Sequence, residues 1–389
     1  MRIGIDGRLY GLEHTGLGRY VMELIKFVLK NDKKNTYVLF LNKKHAAEFT
    51  GRKRVEVVVT NVSIYSFSEQ IIMPFVFAKQ KLDLLHVPHF NAPLLYPGKL
   101  ILTIHDLIKH YSTGMATTTR KPWLYTIKRL GYLTELTLIS RKAVHIIVPS
   151  NFVKQDVSKK LHIPEEKISV TYEAVSGSIM DMVLTEKEKK ETLSKFNLTQ
   201  PFLIYTGNIY PHKNVDILVD ALDRHNQEKE MDLELAIICS RSVFWDRLNE
   251  KIRRRGLESK VKLLGYVDDD NVSKLYSLAL ALVHPSKMEG FGLTGLEAMN
   301  VGLPVIASNA SCLPEVYGEA ALFFDPSSVK DLELKLNLLI KDPSLREQLA
   351  EKGYLQARKY SWNRMGKETV KIYNQVNSKS SSLKPKSQS

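Results

Sequence analysis

Cysteine is nearly absent from this 389-residue chain. Cys239 and Cys312 cannot build a disulfide framework, and neither sits in a zinc-ligating spacing. Long apolar runs are missing too. The longest, Ile71–Ala78, is eight residues and contains Pro74, whereas a membrane span needs about 20. The first six residues, Met1-Arg2-Ile3-Gly4-Ile5-Asp6, put a carboxylate where a secretory signal needs its apolar stretch. A cytoplasmic location is therefore expected. Acidic residues are scarce relative to basic ones, 42 against 56, for a net charge of +14. The deficit is uneven: residues 1–180 carry 26 Lys/Arg against 14 Asp/Glu, and residues 181–389 carry 30 against 28. The first half thus suits an anionic partner, whether nucleic acid, an anionic membrane surface or a phosphorylated acceptor, although ordinary solvated lysines account for the same excess. What is abundant is ordinary globular composition, 44% hydrophobic and 25% charged. That excludes wholesale disorder and, at this length, predicts two domains.

Short β-branched runs alternate with helical patterns, the signature of parallel α/β architecture. Strands are predicted at Arg2–Asp6, Tyr37–Leu41, Val55–Thr60, Leu84–Val87, Leu100–Ile104 and His145–Val148. After a polar stretch the pattern restarts, at Phe202–Tyr205, Leu233–Ile238, Val261–Leu263, Leu280–His284 and Val305–Ala307. The expected organisation is two doubly wound, Rossmann-like domains, 1–180 and 181–376, with a Ser/Lys-rich disordered tail at 377–389. Such sheets bind ligands beyond the carboxyl ends of their strands, so two of them facing each other imply a cleft.

The richest segment runs from His284 to Met299. A strand ends near His284, a loop containing Gly290, Phe291 and Gly292 follows with Leu293, and a helix begins near Thr294. Free N–H groups and a positive helix end at that place favour phosphate. Glu289 and Glu297 bracket the loop with seven residues between them. Glu289 is placed to reach a ligand beyond the phosphate. Glu297 is placed in the first helical turn to accept ribose hydroxyls, or to complete a Thr294-x-x-Glu297 capping box. The Asp268-Asp269-Asp270 run precedes a helical pattern and is read as a helix cap rather than a metal site.

On Glu289 through Glu297, with Gly-Phe-Gly-Leu directly after the first glutamate and Glu-Ala-Met after it, the sequence resembles glycosyltransferase family 4, retaining enzymes of the GT-B fold. Thr294 stands where that family most often has proline. Tyr205–Asn214 resembles the strand and loop that deliver basic residues to the donor diphosphate. Lys213 matches the family lysine, while Asn208 and His212 occupy the positions where an arginine is common. Gly265-Tyr266-Val267 resembles the loop whose backbone contacts the nucleobase. In the first half, Gly16 and Gly18 resemble the N-terminal glycine loop, and Thr103–Leu107 resembles the site whose histidine, here His105, contacts the donor sugar. Val148–Phe152 resembles a turn opening a helix. The forms of the glycine loop and of the Lys213 motif look most like the mannosyltransferase-like branch.

The resemblance implies sugar transfer from a nucleotide diphosphate donor, GDP-mannose or a UDP-sugar, to a glycan or lipid-linked acceptor, with retention at the anomeric carbon and no metal or other cofactor. Glu289, His105 and Lys213 would carry the chemistry, and the C-terminal helix would cross back to the first domain. The basic amphipathic stretch around Trp123 is expected to pack its apolar face on the sheet, with the inner face of a membrane as the alternative contact. Two rivals stand beside this reading. One is a same-fold epimerase or phosphorylase. The other is a non-catalytic nucleotide- or RNA-binding protein, against which the basic excess lies in the opposite half from the anion loop.

Overall fold

The computed structural model describes residues 1–111, 122–175, 177–228 and 232–381. The chain forms two compact units, each built on a parallel sheet. In the first unit the strands are β1 (Arg2–Asp6), β2 (Thr36–Leu41), β3 (Val55–Val59), β4 (Leu84–Val87), β5 (Leu100–Thr103), β6 (His145–Val148) and β7 (Ile168–Val170), in the order β3-β2-β1-β4-β5-β6-β7. In the second they are β8 (Phe202–Thr206), β9 (Glu234–Ile238), β10 (Val261–Gly265), β11 (Ala281–His284), β12 (Val305–Ser308) and β13 (Ala321–Phe324), in the order β10-β9-β8-β11-β12-β13. The strand order reverses between β1 and β4 in one sheet and between β8 and β11 in the other. Those two switch points are where a doubly wound sheet leaves a crevice for ligands.

The central strands are buried from end to end because helices cover both faces, which is why they read as continuous apolar runs. The helix Thr15–Asn31 buries Tyr20, Val21, Leu24, Ile25 and Val28 in one stripe. Gly16 and Gly18, expected in a loop, lie in its first turn. Gly18 has a steric reason for its identity: a Cβ there would fall 1.8 Å from the Gly11 carbonyl oxygen. Ser150 caps the helix Asn151–Leu161 through its hydroxyl, which accepts from the Val153 N–H.

The division of the chain differs from the sequence reading in two ways. The first unit comprises Met1–Leu107, Lys121–Glu173 and Ser361–Ser389, and the second comprises Ile108–Arg120 and Ala174–Tyr360. The boundary therefore falls at Glu173, before the polar stretch, because that stretch is itself the helix Glu186–Phe196, closed by a Thr185/Glu188 capping box. The last segment belongs to the first unit. Its helix, Trp362–Ser381, lies against Thr15–Asn31 and runs four residues past Asn377, into the stretch expected to be disordered. Residues 382–389 lie outside the described residues.

That docking is specific. Asn31 donates to Asn363 Oδ1 at 3.0 Å, and the Tyr373 hydroxyl sits 2.6 Å from His86 Nδ1 in the interior. At Gly366 the two helices touch backbone to backbone, and an added Cβ would meet the Phe27 Cβ at 2.7 Å and its carbonyl carbon at 2.8 Å. No flexible side-chain end is available there to move aside. Gly366→Ala should therefore destabilise the first unit by about 1–3 kcal/mol, the usual cost of overpacking. Urea titration should show a lower midpoint with an unchanged slope. An unchanged midpoint would mean that the helix pair separates freely.

Candidate active site

The loops after β8 and β11 meet at the switch point of the second sheet. The Lys287 N–H donates to the His212 carbonyl at 2.8 Å, and Asn214, in left-handed backbone (φ 58°), donates from its amide to the carbonyls of Pro285 and Pro326. These bonds fix Lys213 opposite Glu289. Lys213 Nζ donates to Glu289 Oε1 at 2.5 Å. The same oxygen accepts from Ser286 Oγ at 2.7 Å and lies 2.9 Å from His284 Nε2. Among the described residues Oε2 has no hydrogen-bond partner. The main chain of Glu289 is held as firmly: its N–H donates to Ser311 Oγ and its carbonyl accepts from Cys312 Sγ.

Glu289 is buried, only 8% exposed. Burial alone would push its carboxyl up, but the charge of Lys213 and the hydrogen bond from His284 outweigh it and hold the group well below the ordinary carboxylate range. The site therefore presents a fixed carboxylate with one oxygen used by the protein and the other left over. His212 does not supply a second cation. Burial and the neighbouring Lys213 charge push it down to about 4, so it is neutral near pH 7. Asn208 is exposed, and its main-chain carbonyl accepts from the Tyr205 hydroxyl at 2.5 Å.

Two sequence expectations change around the second glutamate. The helix runs Leu293–Asn300, so Thr294 is its second residue and Glu297 its fifth, beyond the first turn. Its N-cap is Gly292, with φ 90° and no side-chain cap bond. The Thr294/Glu297 capping box is therefore not formed, and Glu297 is half-buried in the second turn. The glycines around it answer to a residue the sequence reading did not single out, Tyr317. A Cβ on Gly295 would fall 2.3 Å from the Tyr317 hydroxyl, and one on Gly292 2.7 Å from it. That hydroxyl donates to the Gly292 carbonyl at 2.6 Å and lies 2.7 Å from His284 Nδ1. Tyr317 thus ties the helix start to the ring that touches Glu289. Nothing in its spacing reveals this, because the contact spans 25 residues of chain.

Elsewhere in the second unit, Gly290 and Phe291 are buried, the latter edge-on to Tyr360. Leu293 and Thr294 are half-buried. Tyr266 is 83% exposed beside buried Val267. Asp268 is the N-cap of the helix Asp269–Leu278, accepting from the Asn271 N–H at 3.0 Å, and Asp270 pairs with Lys274. Those contacts fit the helix-cap reading of the acidic run.

In the first unit, His105 follows β5 with both ring nitrogens engaged. Nδ1 lies 3.0 Å from Glu173 Oε1 and Nε2 3.2 Å from the Pro88 carbonyl, and Tyr20 packs edge-on against the ring. Burial disfavours the charged ring, but the hydrogen bond and charge of Glu173 prevail and raise its pKa. Glu173 was not legible as a partner, lying 68 residues away. Near the β1/β4 switch point a small recess is lined by Asp6, Arg8, His89 and Asn91. Arg8 is fully committed there, to Asp6 and to buried Glu69.

With this geometry in hand, comparison with known proteins is decisive. Residues 186–356 match the family model described as "Glycosyl transferases group 1", and residues 14–176 match that described as "Glycosyltransferase Family 4". The chain belongs to the group 1, family 4 glycosyltransferases. It is 27% identical to O-antigen chain mannosyltransferase B of Escherichia coli, over 92% of this chain and 96% of that protein. It is also 27% identical to O-antigen chain mannosyltransferase RfbU of Salmonella typhimurium, over 69% and 67% respectively. Among solved structures, sucrose-phosphate synthase of Thermosynechococcus elongatus aligns with a TM-score of 0.75 at 17% identity, covering 97% of this chain and 100% of that one. Anabaena HepE in complex with UDP and glucose aligns at 0.72 and 18%, covering 96% and 99%. The fold is GT-B, as the motifs implied. Among the described residues no helix is long and apolar enough to cross a membrane.

The His105–Glu173 pair makes a pH prediction. Because the folded ring holds its proton to higher pH than a free histidine, the pair's contribution is complete below the ordinary value of about 6.5 and is lost as pH rises through the folded value. Glu173→Gln should cost about 1.5–3 kcal/mol of stability near pH 6, the scale of a charged hydrogen bond, and progressively less towards pH 9. A penalty independent of pH would assign Glu173 to packing alone.

Proposed function

We propose that this glycosyltransferase moves a mannosyl unit from a nucleoside diphosphate donor to a glycan or lipid-linked acceptor in polysaccharide synthesis, with retention and without a metal. The observation that carries the reading is the Lys213–Glu289 pair at the β8/β11 switch point, 2.5 Å apart, with Glu289 buried and Lys213 half-buried. The O-antigen mannosyltransferases among its relatives support the sugar. GDP-mannose or a UDP-sugar remains the donor class.

The site's own residues suggest how the reaction runs. When a diphosphate enters, Lys213 exchanges its carboxylate partner for phosphate oxygen, and negative charge developing on the leaving group meets an ammonium already in place. Glu289 then keeps Ser286 and His284 as donors to Oε1, so it stays ionised, and Oε2 accepts from a sugar hydroxyl. This is a positioning role, worth most if the bond tightens as the ring flattens. The N–H groups at Gly292–Gly295 add a helix N-terminus to the phosphate side. Glu297, in the next turn, accepts from the ribose. Retention needs no protein base if the departing phosphate oxygen takes the acceptor's proton. His105, oriented by Glu173, would hold the donor sugar by exchanging its Nε2 contact, now with the Pro88 carbonyl, for a sugar hydroxyl.

Two substitutions separate the roles of the glutamates. Glu297→Gln should weaken free nucleoside diphosphate and intact donor alike, by about 1–3 kcal/mol, the loss of a charge-assisted hydrogen bond. Glu289→Gln should leave nucleoside diphosphate affinity nearly intact and lower turnover by roughly 10². Calorimetry and steady-state rates on both variants decide between these outcomes. Equal damage to nucleotide affinity would refute the division of labour. Release of nucleoside diphosphate only in the presence of an acceptor separates transfer from epimerisation.

Chelation supplies a second test. Turnover should persist in EDTA, because Lys213 and the helix end supply the positive charge that a divalent ion provides in metal-dependent transferases. Loss of activity in EDTA and its return with manganese would overturn the mechanism.

A further inference from the structure

The helix Phe67–Lys79 buries one face and leaves the other bare. Glu69, Met73, Pro74 and Phe77 point inward, whereas Phe67, Ile71, Ile72 and Phe75 point out. Phe67 is 83% exposed and Phe75 74%. Single exposed apolar residues are ordinary on a protein surface, but a row at i, i+4 and i+8 with two phenylalanines is not. A second helix, Pro122–Lys142, lies beside it, with Gln70 Nε2 donating to Glu135 Oε1 at 2.9 Å. That helix exposes Ile127, Leu130 and Leu138.

The charge around this face is mainly positive, with exposed Asp83 the acid that follows Lys81. Lys79, Lys81, Lys128 and Arg141 are exposed on or next to the two helices. Their only acids are Glu69, buried against Arg8, and Glu135, which accepts from Gln70. Bulky apolar side chains set among cations match the interface of an anionic bilayer, where rings enter the acyl boundary and lysines meet phosphate headgroups. A second copy of this chain fits less well, since a two-fold contact would set the patch against itself and bring its lysines together.

We infer that the outward face of Phe67–Lys79, with the adjoining face around Ile127 and Leu130, docks the first unit on an anionic lipid surface. The inference stands on this face alone and does not depend on which sugar is transferred. It implies that salt weakens binding without abolishing it, because only the lysine contribution is screened. The screening length falls from about 10 Å at 0.1 M to about 3 Å at 1 M.

The test uses the full chain and sedimentation with vesicles of phosphatidylglycerol and phosphatidylcholine, or of phosphatidylcholine alone. Wild type should bind the anionic vesicles, and the double variant Phe67→Ser/Phe75→Ser should bind at least tenfold more weakly while retaining nucleoside diphosphate binding by calorimetry. Lys128→Glu should also weaken binding. A Phe75→Trp reporter, made in the otherwise native chain, should shift its emission to the blue and be quenched by brominated acyl chains. Equal vesicle binding by the double variant, or an unquenched reporter, overturns the inference. So does light scattering in which wild type is dimeric, the double variant is monomeric and neither binds vesicles, since the face would then join two copies. Vesicle binding is read without turnover, so its failure leaves the transferase reading untouched.

Discussion

One oxygen atom organises the switch point of the second sheet. Glu289 Oε1 takes a lysine, a serine hydroxyl and a histidine ring at 2.5–2.9 Å, and each donor comes from a different structural source. Lys213 arrives from the loop after β8, His284 from the end of β11, and Ser286 from the loop that carries Glu289 itself. A buried carboxylate lacking any one of them would face a desolvation cost of several kcal/mol. The loops are accordingly locked to one another by backbone bonds, and β8 and β11 have to be neighbours for the arrangement to exist. The parallel sheet and its switch point are the frame that this single acceptor requires.

Tyr317 extends the same constraint into the helix that follows. Its hydroxyl fills the space where side chains on Gly292 and Gly295 would otherwise stand, and it reaches both a helix-start carbonyl and His284. Two of the glycines in the motif are therefore needed for close packing inside the protein as well as for exposing N–H groups. The two demands coincide in position, so phosphate binding alone does not account for the pattern. Glycine at 292 is required a third time by its positive φ.

Most of the architecture was legible because its signals are local. Buried parallel strands such as Phe202–Thr206 read as short apolar runs, and the Glu289–Glu297 segment packs strand end, loop and helix start into one stretch of sequence. The strands that were not read, Ile168–Val170 and Ala321–Phe324, are three or four residues long and sit at sheet edges, where too few residues alternate to show a period. The unread site residues fail for a different reason. Glu173 and Tyr317 act through single long-range contacts, and a lone glutamate or tyrosine carries no spacing that points to a partner. The last helix runs a turn further than the sequence suggests, to Ser381, because Ser and Lys dominate the composition there and its buried apolar face ends at Ile372 and Tyr373.

The two units resolve one electrostatic problem in the same way. Each has a buried carboxylate beside a basic side chain near the carboxyl end of a strand, Glu289 with Lys213 in one and Glu173 with His105 in the other. Charges meant for a ligand have to be tolerated before the ligand arrives, and an unpaired buried charge costs more than the same charge in a pair. Pairing holds Glu289 well below the ordinary carboxylate range, raises the pKa of His105 and orients both side chains. A ligand that brings its own charge then exchanges partners instead of creating new ones. Under the proposed mechanism the exchange at Lys213 would be carboxylate for phosphate, one anion for another, so the ammonium would never be stripped of a partner. The carboxylate it leaves would keep Ser286 and His284 beside Oε1. Donor binding and release of Glu289 from Lys213 would then be one event, tying the orientation of the sugar to the presence of the diphosphate.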